Sequence, residues 1–84
     1  MNREGISELE FIDIFGDNLR DLMREVGITQ RELAREAGLS ESVVSDYLNK
    51  RKMIGVRALI NICIVLDCEI TDILPYGGFE RVTM

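Results

Sequence analysis

Two helix-start signals stand close together in the middle of this sequence, with a glycine between them. Thr29 and Glu32 form T-x-x-E. In that box the threonine hydroxyl accepts from a first-turn N–H, and the glutamate reaches back to the threonine's own N–H. Ile28 and Leu33 occupy the apolar staple positions around the cap. Gly38 stops the segment after about two turns, because glycine readily takes the left-handed conformation that follows a helix. Ser40 then caps a second helix at once, and Leu39 and Val44 repeat the staple spacing. A chain that must place two such short helices either side of Ala37-Gly38-Leu39 has few choices. The tight, glycine-containing turn crosses them steeply, and the second, about Ser40 to Asn49, stands outward.

The rest of the chain reads as helices around this pair. Phe15, Leu19, Leu22, Met23 and Val26 recur at helical spacing and predict a first helix from Phe15 to Val26, ended by Gly27. Leu9, Phe11, Ile12 and Ile14 would carry it back toward Ser7, an extension that Gly16 leaves open. A fourth helix is expected over Val56–Leu66, with Val56, Leu59, Ile60, Cys63 and Leu66 on its core side and Asp67 taking the turn. A short fifth helix, Ile70–Leu74, stops before Pro75. The expected fold is therefore all-α, with five helices. It divides into an extension over 1–14 that is open to being helical, a domain over 15–75, and a tail over 76–84 read as flexible, an extra strand or a dimer arm.

Composition narrows the function. With 84 residues the chain is one domain. No apolar run reaches the roughly 18 residues of a membrane span. The start, Met1–Glu10, lacks the basic and apolar regions of a signal peptide, so the expected location is cytoplasmic. The two cysteines, Cys63 and Cys68, are not a CxxC pair. There is no histidine to complete a zinc site, so both read as ordinary buried thiols, with no metal and no cofactor expected. Neither a nucleophile–base pair nor a glycine-rich phosphate loop is present, so no enzyme is expected. The net charge of −5 opposes binding to a polyanion, but its distribution is uneven. Residues 28–57 hold Arg31, Arg35, Lys50, Arg51, Lys52 and Arg57 against Glu32, Glu36, Glu41 and Asp46, a local excess of positive charge. At about 8–10 Å of screening length the local charge governs a docking face.

These residues match a family. Ile28-Thr29-Gln30-Arg31-Glu32-Leu33-Ala34 through Gly38-Leu39-Ser40 closely resembles the opening of the Cro/CI-type, or XRE-like, helix-turn-helix family. Val44-Ser45-Asp46-Tyr47-Leu48-Asn49 resembles its recognition helix, and Leu59–Leu74 its last two helices. The resemblance spans roughly 15–75 and implies a five-helix, lambda-repressor-like domain. Its implied function is a sequence-specific, phage- or mobile-element-type regulator of transcription that reads the major groove of double-stranded DNA with residues 40–49. Residue by residue, it implies that Gln30, flanked by Thr29 and Arg31, touches a phosphate and supports the base-reading side chains. Ser40, Glu41, Ser42, Ser45 and Asp46 would meet DNA, and Asn49, Lys50, Arg51 and Lys52 would grip the phosphate backbone. A helix N-terminus and short cationic side chains suit that task. The bland alternative for Lys50–Lys52 is a solvated loop.

The sequence also departs from the family. Many relatives carry arginine, lysine or glutamine where Glu41 and Asp46 stand, and a carboxylate can accept from cytosine but is repelled by phosphate. Where a glycine commonly follows the asparagine, this chain has Lys50. Ile62, Val65 and Ile73 are read as a surface for a homodimer on a palindromic operator, with cover by the extension or tail as the alternative. A second functional reading is a protein-interaction module on the same scaffold, such as an antitoxin or antirepressor with a protein partner.

Overall fold

A computed structural model of the protein describes residues 5–75. The expected tail over 76–84 and the first four residues of the extension lie outside the described residues. The elements are α1 (Glu8–Val26), α2 (Gln30–Ala37), α3 (Glu41–Leu48), α4 (Val56–Leu66) and α5 (Ile70–Ile73). Over the described residues the chain is thus the five-helix, all-α fold the pattern predicts.

α1 runs unbroken through Gly16, because Ser7 starts it with a complete capping box to Glu10. The boundary expected at residue 15 therefore falls inside a helix. Its forward turn is not idle: Phe11 stacks on Phe15, and Phe15 meets Tyr47 of α3 edge-on. A glycine in a helix interior usually weakens it. Here Gly16 is buried, and a Cβ on it would lie 3.0 Å from both the Tyr47 carbonyl oxygen and Lys50 Cγ. The close approach of α3 to α1 requires the missing side chain.

The core is formed by Phe15, Leu19 and Met23 of α1, Leu33, Ala34 and Ala37 of α2, Val44, Tyr47 and Leu48 of α3, Ile54, then Ile62, Cys63 and Leu66 of α4 and Ile73 of α5. α2 packs on both α3 and α4, while α1 braces α3 and α5 from the other side. Three helices here are short, and their ends need partners for carbonyls with no intrahelical N–H. The last carbonyl of each is taken by a side chain of a longer helix. Asn61 donates to Ala37 at the end of α2, Arg20 to Leu48 at the end of α3, and Asn18 to Ile73 at the end of α5. Side chains of α1 and α4 thus satisfy the last carbonyl of each short helix.

Two expectations for α4 need correction. Ile62 is fully buried, as is Ile73, so neither faces a second copy; Val65 is half-buried. Conversely Val56 and Ile60, expected inside, are 73% and 44% exposed, and Ile64 is 71% exposed. α4 is apolar around most of its circumference, so periodicity holds little information about which arc faces inward. Packing against α2 decides it. The arc Leu59–Ile62–Cys63–Leu66 turns in, and Val56, Ile60 and Ile64, one turn apart, form an exposed stripe. Among the described residues no helix is long and apolar enough to cross a membrane.

Candidate nucleic-acid interface

Local capping builds the motif as the sequence dictates. Thr29 N–H donates to Glu32 Oε1 at 2.9 Å, and Glu32 N–H donates to Thr29 Oγ1 at 3.1 Å. The carboxylate accepts from the Thr29 N–H first and from the Thr29 hydroxyl, at 3.1 Å, second, and these two bonds hold the Glu32 carboxyl below its ordinary pKa. Gly38 ends α2 at φ 71°, in the left-handed region where glycine carries no steric penalty. The Leu39 N–H then closes onto the Ala34 carbonyl at 2.8 Å. Ser40 Oγ accepts from the Val43 N–H at 3.1 Å and starts α3. Leu39 of the turn and Val43 of α3 are half-buried against the core, so the two helices are fixed by apolar contact as well as by caps.

The outer side of α3 is polar and lean. Ser40, Glu41 and Ser42 are exposed, Ser45 and Asp46 half-buried, and Asn49 exposed. Ser40 and Ser42 share a hydroxyl contact of 3.3 Å. Gln30 reaches from the start of α2 to the Glu41 carbonyl, its Nε2 donating at 3.5 Å. That contact ties the N-terminal ends of the two helices into one surface with exposed Thr29 and Arg31 beside it. At the far end Asn49 folds back, Nδ2 donating to the Ser45 carbonyl at 2.9 Å and lying 3.1 Å from its hydroxyl.

The loop after α3 is a Schellman closure. Lys50 N–H bonds the Tyr47 carbonyl, Arg51 N–H bonds the Asp46 carbonyl at 2.9 Å, and Lys50 sits at φ 62°. A lysine in glycine's seat costs about 1–2 kcal/mol of backbone strain. Its ammonium does not point along the loop. Nζ lies 2.8 Å from Asp13 and 2.8 Å from Asp17, both on α1. Hydrogen bonding to Asp13, then to Asp17, holds the Lys50 pKa above its usual value. Arg51 leans toward Asp46 at 3.8 Å, and Lys52 is exposed with no ion pair among the described residues.

The structure thus gathers Thr29, Gln30, Arg31, Ser40, Glu41, Ser42, Ser45, Asp46, Asn49, Arg51 and Lys52 along α3 and its two ends, and draws Lys50 toward α1. Asp13, Asp17 and Arg20 are the residues that sequence reading missed. Their signal was present: Asp13, Gly16 and Asp17 share one face of α1, and Lys50 stands where a left-handed turn needs a partner to hold it.

The profile of the Cro/C1-type HTH DNA-binding domain matches residues 18–77. The chain belongs to the Cro/C1-type helix-turn-helix family. This family consists of DNA-binding domains, and the chain carries that domain over most of its length. Among solved structures, this Cro/C1-type chain is similar to the clp gene regulator ClgR from Corynebacterium glutamicum. The two share 27% identity over 80% of this chain and 71% of that one, with a TM-score of 0.74. It is also similar to the restriction-modification controller protein C.AhdI from Aeromonas hydrophila, at 26% identity over 74% of this chain and 94% of that one, TM-score 0.71. The fold recurs in the SinR protein/SinI protein complex at 23% identity over 82% of this chain and 67% of that one, TM-score 0.70. Comparison with curated proteins gave no match. The neighbours named as regulators, together with the family, make this a DNA-binding transcription regulator.

Proposed function

We propose that this Cro/C1-type protein is a sequence-specific regulator that reads the major groove with α3 and binds a palindromic operator as a homodimer. The observation that carries the reading is the outer face of α3. Its residues are short and exposed or half-buried, and Gln30 of α2 reaches toward the Glu41 carbonyl beside it, so its serines can approach base edges closely. α2 braces that approach. The N-terminal ends of the two helices lie side by side and offer N–H groups to phosphate. Arg31, Arg51 and Lys52 supply the cationic rim.

The second copy fits the stripe of Val56, Ile60 and Ile64. Two molecules of charge −5 repel over most of their surfaces. α4 carries a single charged residue, Arg57, and its stripe is uncharged, so two copies meet there at least electrostatic cost. A two-fold contact of α4 on α4 places two reading helices on two half-sites.

Selection of binding sites from random duplexes tests the proposal. An inverted repeat is the expected product, with affinity that falls steeply as salt rises. Gln30→Ala and Ser42→Ala should each weaken specific binding about tenfold, within the roughly 1–3 kcal/mol range of a lost base contact, and leave the melting curve in place. If both variants bind the selected duplex as the parent does, the reading face is misassigned. One observation favours a protein partner instead: Glu41 and Asp46 put two carboxylates on the face that would meet phosphates. Failure to enrich any duplex at low salt selects that reading.

A further inference from the structure

The seat of Lys50 is a built feature with no part in the reading above. Asp13, Gly16 and Asp17 are one turn apart on a single face of α1. The two carboxylates hold the ammonium, each at 2.8 Å. Gly16 leaves the room beneath it, since a Cβ there would stand 3.0 Å from Lys50 Cγ and 3.3 Å from Cε. Beside this clasp Arg20 donates to the last carbonyl of α3 at 3.3 Å, and Phe15 supports Tyr47. All these ties hold the C-terminal end of α3, whereas Gln30 holds its N-terminal end.

We propose that Lys50 is a positioning residue for the reading helix, clasped by Asp13 and Asp17 on α1, and not one of the lysines that grip phosphate. The inference rests on the reading of α3 as the DNA-facing helix. Two carboxylates around one ammonium leave the cluster with a negative sum, so a phosphate brought to Lys50 meets more repulsion than attraction. The clasp also accounts for a lysine at φ 62°. An unfavourable backbone conformation persists where surrounding contacts over-determine it. Fixing both ends of α3 sets the depth and angle at which its serines meet base edges, which governs specific binding more than general affinity.

The test uses the full chain, with two probes: a duplex recovered by selection and a mixed-sequence duplex of equal length. Each is titrated against salt by fluorescence anisotropy. Every phosphate contact contributes about −0.9 to the slope of log K against log salt. Lys50→Gln should leave that slope unchanged and lower the ratio of selected to mixed-sequence affinity several-fold, and Lys50→Arg should restore the ratio. Asp13→Asn with Asp17→Asn frees the ammonium. The slope should then steepen by about one contact, and adding Lys50→Gln to that pair should return it to the parent value. These carboxamide variants keep the test alive if Lys50→Gln fails to fold. A slope flattened by about one contact in Lys50→Gln, with equal loss on both duplexes, makes Lys50 a phosphate ligand and overturns the proposal alone. If the parent protein binds neither duplex, the DNA-reading assignment falls and the clasp's role falls with it.

Discussion

Gly16 shows how one missing side chain links the stability of α1 to the placement of α3. A glycine in mid-helix usually costs about 0.5–1 kcal/mol relative to alanine, so Gly16→Ala would be expected to stabilise an isolated helix. In the folded chain the added methyl meets a backbone oxygen of Tyr47 at 3.0 Å, and that oxygen belongs to a packed helix and cannot swing aside. The expected outcome is a loss of about 1 kcal/mol or more, as in overpacked cores. A thermal melt followed by circular dichroism checks it: the midpoint should fall by several degrees, and a rise would mean that α3 does not approach α1 this closely. The thiols are a simpler case. Burial raises the pKa of Cys63, and burial followed by the neighbouring Cys63 thiol pushes Cys68 up to about 12. Both are therefore thiols, not thiolates, at neutral pH, which fits their place in and beside the core.

At the scale of elements, caps define the short helices. Thr29→Ala removes the hydroxyl side of one box, leaves the backbone N–H bond to the Glu32 carboxylate in place, and should cost about 1 kcal/mol. The pH dependence has a definite sign. Glu32 has a folded pKa below its ordinary value of 4.5. Its contribution is therefore present above 4.5 and lost as pH falls through the lowered folded value. Melting midpoints of the parent should drop across that acid window, and Thr29→Ala should show a shallower drop from a lower start. Equal acid limbs would mean that the Thr29 hydroxyl's bond to the Glu32 carboxylate adds nothing to stability. These caps and the glycine stops were legible in the sequence because they are local: each needs only residues three or four apart. The long-range ties were not. That Arg20 closes α3, Asn61 closes α2 and Asn18 closes α5 depends on which helices become neighbours, and no spacing within one helix encodes it. The inward arc of α4 was hidden for a related reason, since Val56, Ile60, Ile62 and Ile64 are equally apolar and only packing tells them apart.

At the scale of the whole molecule, charge and apolar surface are separated. Acid lies mainly outside 28–57, positive side chains flank α3, and α4 exposes an uncharged stripe. The separation suits a protein that must attract one polyanion at one face and a copy of itself at another. Ile64→Glu should convert a dimer to a monomer in sedimentation at roughly tens of micromolar, with helix content unchanged because the side chain is solvent-facing. A parent protein that is monomeric there, with and without duplex, would remove the α4 contact from the account. The central claim concerns α3. It is tested most directly by mapping backbone amide shifts as a selected duplex is added to the labelled protein. The expected changes concentrate at Thr29–Arg31, Ser40–Asn49 and Arg51–Lys52. Changes confined to α4 and α5, with Ser40, Ser42 and Ser45 unmoved, would contradict it.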